Sequence, residues 1–170
     1  VSGTGVFDLG GRSDTVGGVQ LVAGTIQNGT LSSTTNYDLR SGLVSAALAG
    51  AVGADKTTGG VVTLSGTGAN TYSGLTTVSA GTLNLNKTAG TDAIAAGGLT
   101  VSGGSAVLQA ANQINNGSAV TVNGATAVLD MGTFSDTVAS VVLQGAGTIN
   151  GAGALSSTAA FDLQSGTVNA

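Results

Sequence analysis

Chemistry in this chain has little to draw on beyond eight aspartates and four cations; there is no His, Cys or Glu. Asp8, Asp38, Asp130 and Asp162 each follow Phe, Tyr or Leu and precede Leu or Met, while Asp14 and Asp136 each stand in Ser-Asp-Thr-Val. A hydrolase or lyase acting on sugars would need two such carboxylates roughly 5–9.5 Å apart, one as acid and one as base or nucleophile. These aspartates instead recur at matched places in two series, whereas an active site is normally built once. The reading that fits is turn capping, with each carboxylate accepting hydrogen bonds from nearby backbone. No catalytic, cofactor-binding or metal-ligating residue is assigned, no cofactor is expected, and the chain is read as not an enzyme.

Other candidate features weaken in the same way. Gly10-Gly11-Arg12-Ser13-Asp14-Thr15-Val16 is similar to the Gly-Gly-x-Gly-x-Asp-x-apolar nonapeptide of calcium β-rolls, but Ser13 replaces the third Gly and no second copy follows in tandem. Gly66-Thr67-Gly68 lacks a Lys-Ser or Lys-Thr in phosphate-loop spacing, so its glycines read as turn residues. Lys56 and Lys87 read as solvated turn residues. Thr76-Thr77, Thr100 and Thr121 do not make the two-column ladder of an ice-ordering face. Tyr37, Tyr72 and Phe161 read as packing residues at rung ends, since a sugar platform usually presents several aromatics together.

The elements that must carry these residues follow from composition and repetition. Charged residues are 7% of the chain, aromatics 3%, and Gly accounts for 30 of 170 positions with no Pro or Trp. An average domain is about 25% charged, and a compact core normally relies on large side chains. Here Val, Leu, Ala and Thr must fill a thin core, which suits a solenoid whose rungs bury their apolar rows only against neighbours. Apolar residues at 41%, recurring at fixed places, argue against disorder. Four cations and a net charge of −4 leave nucleic-acid binding without a basis. No apolar run approaches the roughly 20 residues of a membrane-spanning helix, so no membrane insertion of this segment is expected.

Two repeats are nested. Phe7-Asp8-Leu9-Gly10, Ser13-Asp14-Thr15-Val16, Gly24-Thr25-Ile26, Leu31-Ser32-Ser33-Thr34 and Tyr37-Asp38-Leu39-Arg40-Ser41-Gly42 are answered in order. The answers are Leu129-Asp130-Met131-Gly132, Ser135-Asp136-Thr137-Val138, Gly147-Thr148-Ile149, Leu155-Ser156-Ser157-Thr158 and Phe161-Asp162-Leu163-Gln164-Ser165-Gly166. The offset drifts from 122 at Asp8/Asp130 to 124 at Leu31/Leu155, as single insertions in loops would produce. The chain therefore reads as one continuous solenoid segment, 1–170, of a longer repetitive protein: one unit of about 123 residues plus part of a second.

A shorter period runs inside the unit. Thr77-Val78-Ser79-Ala80-Gly81-Thr82-Leu83-Asn84-Leu85 matches the segments starting at Thr100 and Thr121, and more loosely the one at Val142. The strands centre on Val78, Val101, Val122 and Leu143, at spacings of 23, 21 and 21. Each copy reads as strand, Gly turn, strand, and alternation in Leu83-Asn84-Leu85 and Ala119-Val120-Thr121-Val122 marks one buried face. Asn28-Gly29, Asn116-Gly117, Asn123-Gly124 and Asn150-Gly151 supply further turn chemistry. Two architectures use such a pattern: parallel β-helix rungs of about 20–25 residues, or antiparallel hairpins in a sandwich. Stacking is favoured because rungs tolerate drifting insertions, whereas hairpin register is set by loop length. It predicts seven or eight rungs and a rod on the order of 35 Å. No helix is expected, and Ser45 to Ala51 reads as a loop or short turn.

The stretch Gly60-Val61-Val62-Thr63-Leu64-Ser65-Gly66 followed by Asn70-Thr71-Tyr72-Ser73-Gly74-Leu75-Thr76-Thr77-Val78-Ser79-Ala80-Gly81-Thr82-Leu83-Asn84-Leu85 closely resembles the autotransporter-associated β-strand repeat. Thr67-Gly68 stands as an insertion, and Leu75 occupies a position where that repeat usually has a small or polar residue. The resemblance covers about 26 of the 170 residues. It implies a right-handed parallel β-helix, exported to the outer-membrane surface or exterior of a Gram-negative bacterium as a stalk or adhesin, and it carries no catalytic residue across.

The expected function is structural or adhesive: length, rigidity, and self-association or surface attachment within a secreted fibre. The alternative is a carbohydrate-binding or carbohydrate-active β-helix module. Neither Val1-Ser2-Gly3-Thr4 nor Thr167-Val168-Asn169-Ala170 reads as a polar cap, so both ends are expected to continue, into further units or against another subunit. The expected partners are those neighbouring units or subunits, end to end, with surface glycans as a further class.

Overall fold

A computed structural model describes all 170 residues. The chain winds through twenty strands. The first rung holds β1 (Val6–Val16) and β2 (Gln20–Leu21); the second holds β3 (Thr25–Ser33) and β4 (Tyr37–Leu39). The third holds β5 (Gly42–Val44), β6 (Ala47–Ala49) and β7 (Ala54–Lys56); the fourth, β8 (Val61–Gly66) and β9 (Thr76–Val78). Next come β10 (Thr82–Lys87) with β11 (Leu99–Val101), then β12 (Gly104–Leu108) with β13 (Ala119–Asn123). The seventh rung has β14 (Ala127–Asp130), β15 (Asp136–Val138) and β16 (Ser140–Gln144). The eighth has β17 (Gly147–Asn150), β18 (Leu155–Ser157) and β19 (Phe161–Leu163), and β20 (Gly166–Asn169) lies beyond it.

These rungs stack as a parallel β-solenoid of about eight turns with no helix. A first face runs β1-β3-β5-β8-β10-β12-β14-β17-β20, and a second runs β19-β16-β13-β11-β9-β7-β4-β2. Every strand pair is parallel, which removes the hairpin sandwich. The short period is the rung: Val78, Val101, Val122 and Leu143 are successive register partners. The long repeat is six rungs, since β1 and β14, which carry Asp8 and Asp130, stand six steps apart on the first face. One expectation is corrected. Ser45 to Ala51 is not a bare loop, because Ala47–Ala49 forms β6 and pairs with Thr30–Ser32 of the rung below.

The core is a set of columns. Val62, Leu83, Ala106, Leu129, Ile149 and Val168 follow one another in register on the first face, and all but the last are buried. Period-2 alternation sends these residues inward and their neighbours Thr63, Asn84 and Val107 outward. The side chains of this column are small or medium, and the interior is enclosed by the two faces and a third, mostly looped side.

A column of glycine sets where the chain turns onto the first face. Gly24, Gly42, Gly60, Gly81, Gly104, Gly147 and Gly166 open or immediately precede the strands there, with Ala127 the one exception. A Cβ on Gly104 would collide with the carbonyl of Gly81 below it, and its φ of +68° is one that side chains disfavour. Gly166 meets the carbonyl of Gly147 in the same way. By contrast, a Cβ on Gly59 would meet open space at an ordinary φ. Gly104→Ala is therefore expected to lower stability by about 2 kcal/mol or more, while Gly59→Ala stays within about 0.5 kcal/mol; urea denaturation followed by circular dichroism reads the difference.

Candidate functional site

Each aspartate has a partner within the fold, and the recurring ones make recurring bonds. Gly10 N–H donates to Asp8 Oδ1 at 2.8 Å, and Gly132 N–H donates to Asp130 Oδ1 at 2.8 Å. Thr15 and Thr137 N–H likewise donate to Asp14 and Asp136 at 2.8 Å. Asp38 accepts from Arg40, and Asp162 accepts from Gln164 at the matching position. Asp55 accepts from Asn36 Nδ2 at 2.9 Å and Asp92 from Asn115 Nδ2 at 2.7 Å. Asp38 and Asp55 are register partners on the second face, but the Arg40 guanidinium, joined by Gln20, holds the Asp38 carboxyl below its ordinary value. Gln27, the Gly10 amide and Asn28 do the same for Asp8. No three carboxylates gather in one place.

Asp136 departs from its copy Asp14, which is exposed. Its second oxygen accepts the N–H groups of Gln113 at 2.8 Å and Ile114 at 2.9 Å, both from the rung below. Burial raises its pKa, and those amides oppose the shift. Asp136 belongs to a staircase of buried polar side chains on the third side of the solenoid. There β6 gives way to loops until β15 and β18 pair. Asn70 Oδ1 accepts Leu48 N–H at 2.9 Å, and Asn70 Nδ2 donates to the Ala93 carbonyl at 2.7 Å. Gln113 Oε1 accepts Lys87 N–H at 2.7 Å while its Nε2 donates to the Lys87 carbonyl at 3.1 Å. The three side chains close bonds that a backbone ladder would otherwise make. Sequence reasoning passed over Gln113, which has no counterpart in the repeat.

The tyrosines are interior. Tyr37 and Tyr72 are buried with ring centroids 6.2 Å apart. The Tyr37 hydroxyl lies 2.6 Å from the carbonyls of Leu31 and Ala49, and the Tyr72 hydroxyl lies 2.6 Å from Thr76 Oγ1. Phe161 sits on the last complete rung, 43% exposed. Thr77, Thr100 and Thr121 stack in register as a single column, with Asp55 before it and Val142 after it.

Lys56 and Lys87 overturn the expectation of solvated turn residues. Both point inward and are buried, at 0% and 1% exposure. The reason is parity: Lys56 shares a face with Ala54, and Lys87 shares one with Leu83 and Leu85, all buried.

Comparison with protein-family models, with curated proteins and with solved structures found no match to this chain. Its site residues are therefore judged on geometry alone. That geometry makes a specific demand on Asp136. Asp136→Ala would strand two buried N–H groups and is expected to lower stability by about 2–4 kcal/mol, whereas Asp14→Ala, exposed and with one local bond, stays within about 0.5 kcal/mol. Chemical denaturation of the two variants side by side checks this.

Proposed function

We propose that this chain is a structural and adhesive segment of a secreted bacterial surface fibre, of the autotransporter-passenger kind, and that it has no catalytic role. The observation that carries the reading is that the recurring aspartates serve the turns and ladders of the fold itself. A second support is the uninterrupted stack, whose length scales with rung number and in which the sequence pattern of the first rungs returns six rungs later. The motif from Gly60 to Leu85, which resembles the autotransporter-associated repeat, occupies rungs four and five, and its strands β8 and β10 pair directly over six residues.

Association end to end with neighbouring units or further subunits is part of this proposal. Phe161, Leu163 and Val168, in columns that are buried elsewhere, are 43%, 55% and 46% exposed. Val1, Phe7, Val16, Val19, Ile26 and Leu31 line an apolar recess at the opposite end. Parallel strand edges beside such surfaces favour pairing with another rung. Surface glycans are a further partner class, and a carbohydrate-active module is the alternative reading. It draws on the same aspartates, but the adjacent Asp38 and Asp55 are bonded to Arg40, Gln20 and Asn36 on the outer side of the second face.

Light scattering of the purified segment is expected to show mass rising with concentration, and rising less when Phe161 and Leu163 are both changed to Lys. A constant monomer mass across the range would overturn end-to-end association. Incubation with bacterial and plant polysaccharides is expected to release no new reducing ends or unsaturated sugars; release that disappears on Asp→Asn substitution would overturn the non-catalytic reading.

A further inference from the structure

Two of the four cations, Lys56 and Lys87, lie inside the solenoid. On the second face Lys56, Val78, Val101, Val122, Leu143 and Leu163 are successive register partners, and the rungs below offer Leu21 and Leu39. Lys87 ends β10 opposite Gly66. Lys56 Nζ donates to the carbonyls of Thr58 and Ala80, the latter at 3.0 Å. Lys87 Nζ donates to the carbonyls of Ser65 at 2.8 Å and Ala46 at 3.3 Å, one and two rungs beneath its own strand.

Each nitrogen thus has two carbonyl acceptors. A neutral amine has two N–H donors and is satisfied by them; an ammonium has three and is left with one unmatched in a buried site. No carboxylate balances either charge. The ion pair of the fold, Arg40 with Asp38, is on the outside. Asp55 precedes Lys56 but faces outward and bonds Asn36. Asp92, on the same rung as Lys87, bonds Asn115, and Asp136, two rungs above Lys87, bonds backbone amides. The hydroxyls of Tyr37 and Tyr72 serve Leu31, Ala49 and Thr76.

We propose that these two amines form a pH-sensitive element in the middle of the stack: uncharged, they close rungs three to five, and protonated, they loosen them. Burial alone pushes the Lys87 ammonium down to about 8 from 10.5 and moves Lys56 in the same direction. The sign follows from linkage. Below pH 8 the folded and unfolded chains both hold the Lys87 proton, and the burial penalty is present in full. Between pH 8 and 10.5 only the unfolded chain keeps it, so stability rises with pH. The chain has no His or Cys to titrate in that window. Burial also raises both tyrosines, Tyr72 to about 12, so they act above pH 10 and in the opposite sense.

The test is the urea midpoint of the wild type, Lys87→Met and Lys56→Met at pH 7 and pH 10. The wild-type folding constant is expected to rise by on the order of tens of fold between these values. Lys87→Met should already be the more stable protein at pH 7 and lose most of the rise, since a volume-matched apolar side chain suits the buried site. A wild type whose midpoint is flat from pH 7 to 10, or a Lys87→Met chain less stable than wild type at pH 7 with the rise intact, would overturn the proposal. Should the Met variants not fold, ¹³C NMR titration of the wild-type lysine Cε signals decides it. A lysine inflecting near pH 8 supports the element, and both lysines inflecting above pH 10 would sink it.

Discussion

Parallel stacking at one strand spacing is the constraint on which everything else here depends. Because each residue lies over its register partner about 4.8 Å away, a side chain must suit the ones above and below it as well as its own rung. Columns follow. Most inward positions on the two faces are Val, Leu, Ile or Ala, with Tyr37, Tyr72, Lys56 and Lys87 as the large exceptions. The glycine column at the entrance to the first face exists because each carbonyl points into the space that the next rung's Cβ would need, as Gly81 does for Gly104. Outward positions are freer, and the column Asp55, Thr77, Thr100, Thr121, Val142 changes character from rung to rung without disturbing the stack.

Where the backbone ladder lapses, side chains replace it. Between β6 and β15 the third side is mostly loop, and Asn70, Gln113 and Asp136 stitch adjacent rungs through amide and carboxylate groups. A buried polar group is tolerated only when its donors and acceptors are met, and these three meet theirs with main chain. The lysines satisfy the same rule differently, with two carbonyls each and no counter-ion. A fold with so few charges thus keeps several polar groups inside, where they tie one rung to the next.

Much of this was legible in the sequence, because a solenoid translates spacing into position. The spacings of Val78, Val101, Val122 and Leu143 read as strands in register, and they are. The recurrence of Asp8 with Asp130 read as turn capping, and the Gly10 and Gly132 amides bond the two alike; Asp14 and Asp136, read the same way, lie within β1 and β15 and share only the bond from the next residue's amide. The lysines were misread through residue type, although the alternation in Leu83-Asn84-Leu85-Asn86-Lys87 already placed Lys87 on the apolar face. Parity outranks polarity in a strand whose register is fixed by its neighbours. Gln113 was out of reach for a different reason: its role depends on the loop between β12 and β13 reaching the end of β10 on the rung below, which no repeat or periodicity encodes.

The functional proposal rests on this register, since a fibre segment transmits length and stiffness only if its rungs are evenly stacked. The most direct measurement is a series of distances between spin labels at Thr77 paired with Thr121, Val142 or Asp162, positions two, three and four rungs apart in one outward column. Even stacking predicts separations that grow by about 4.8 Å with each rung. Separations that fail to grow with rung number, or that are broad for all three pairs, would contradict it.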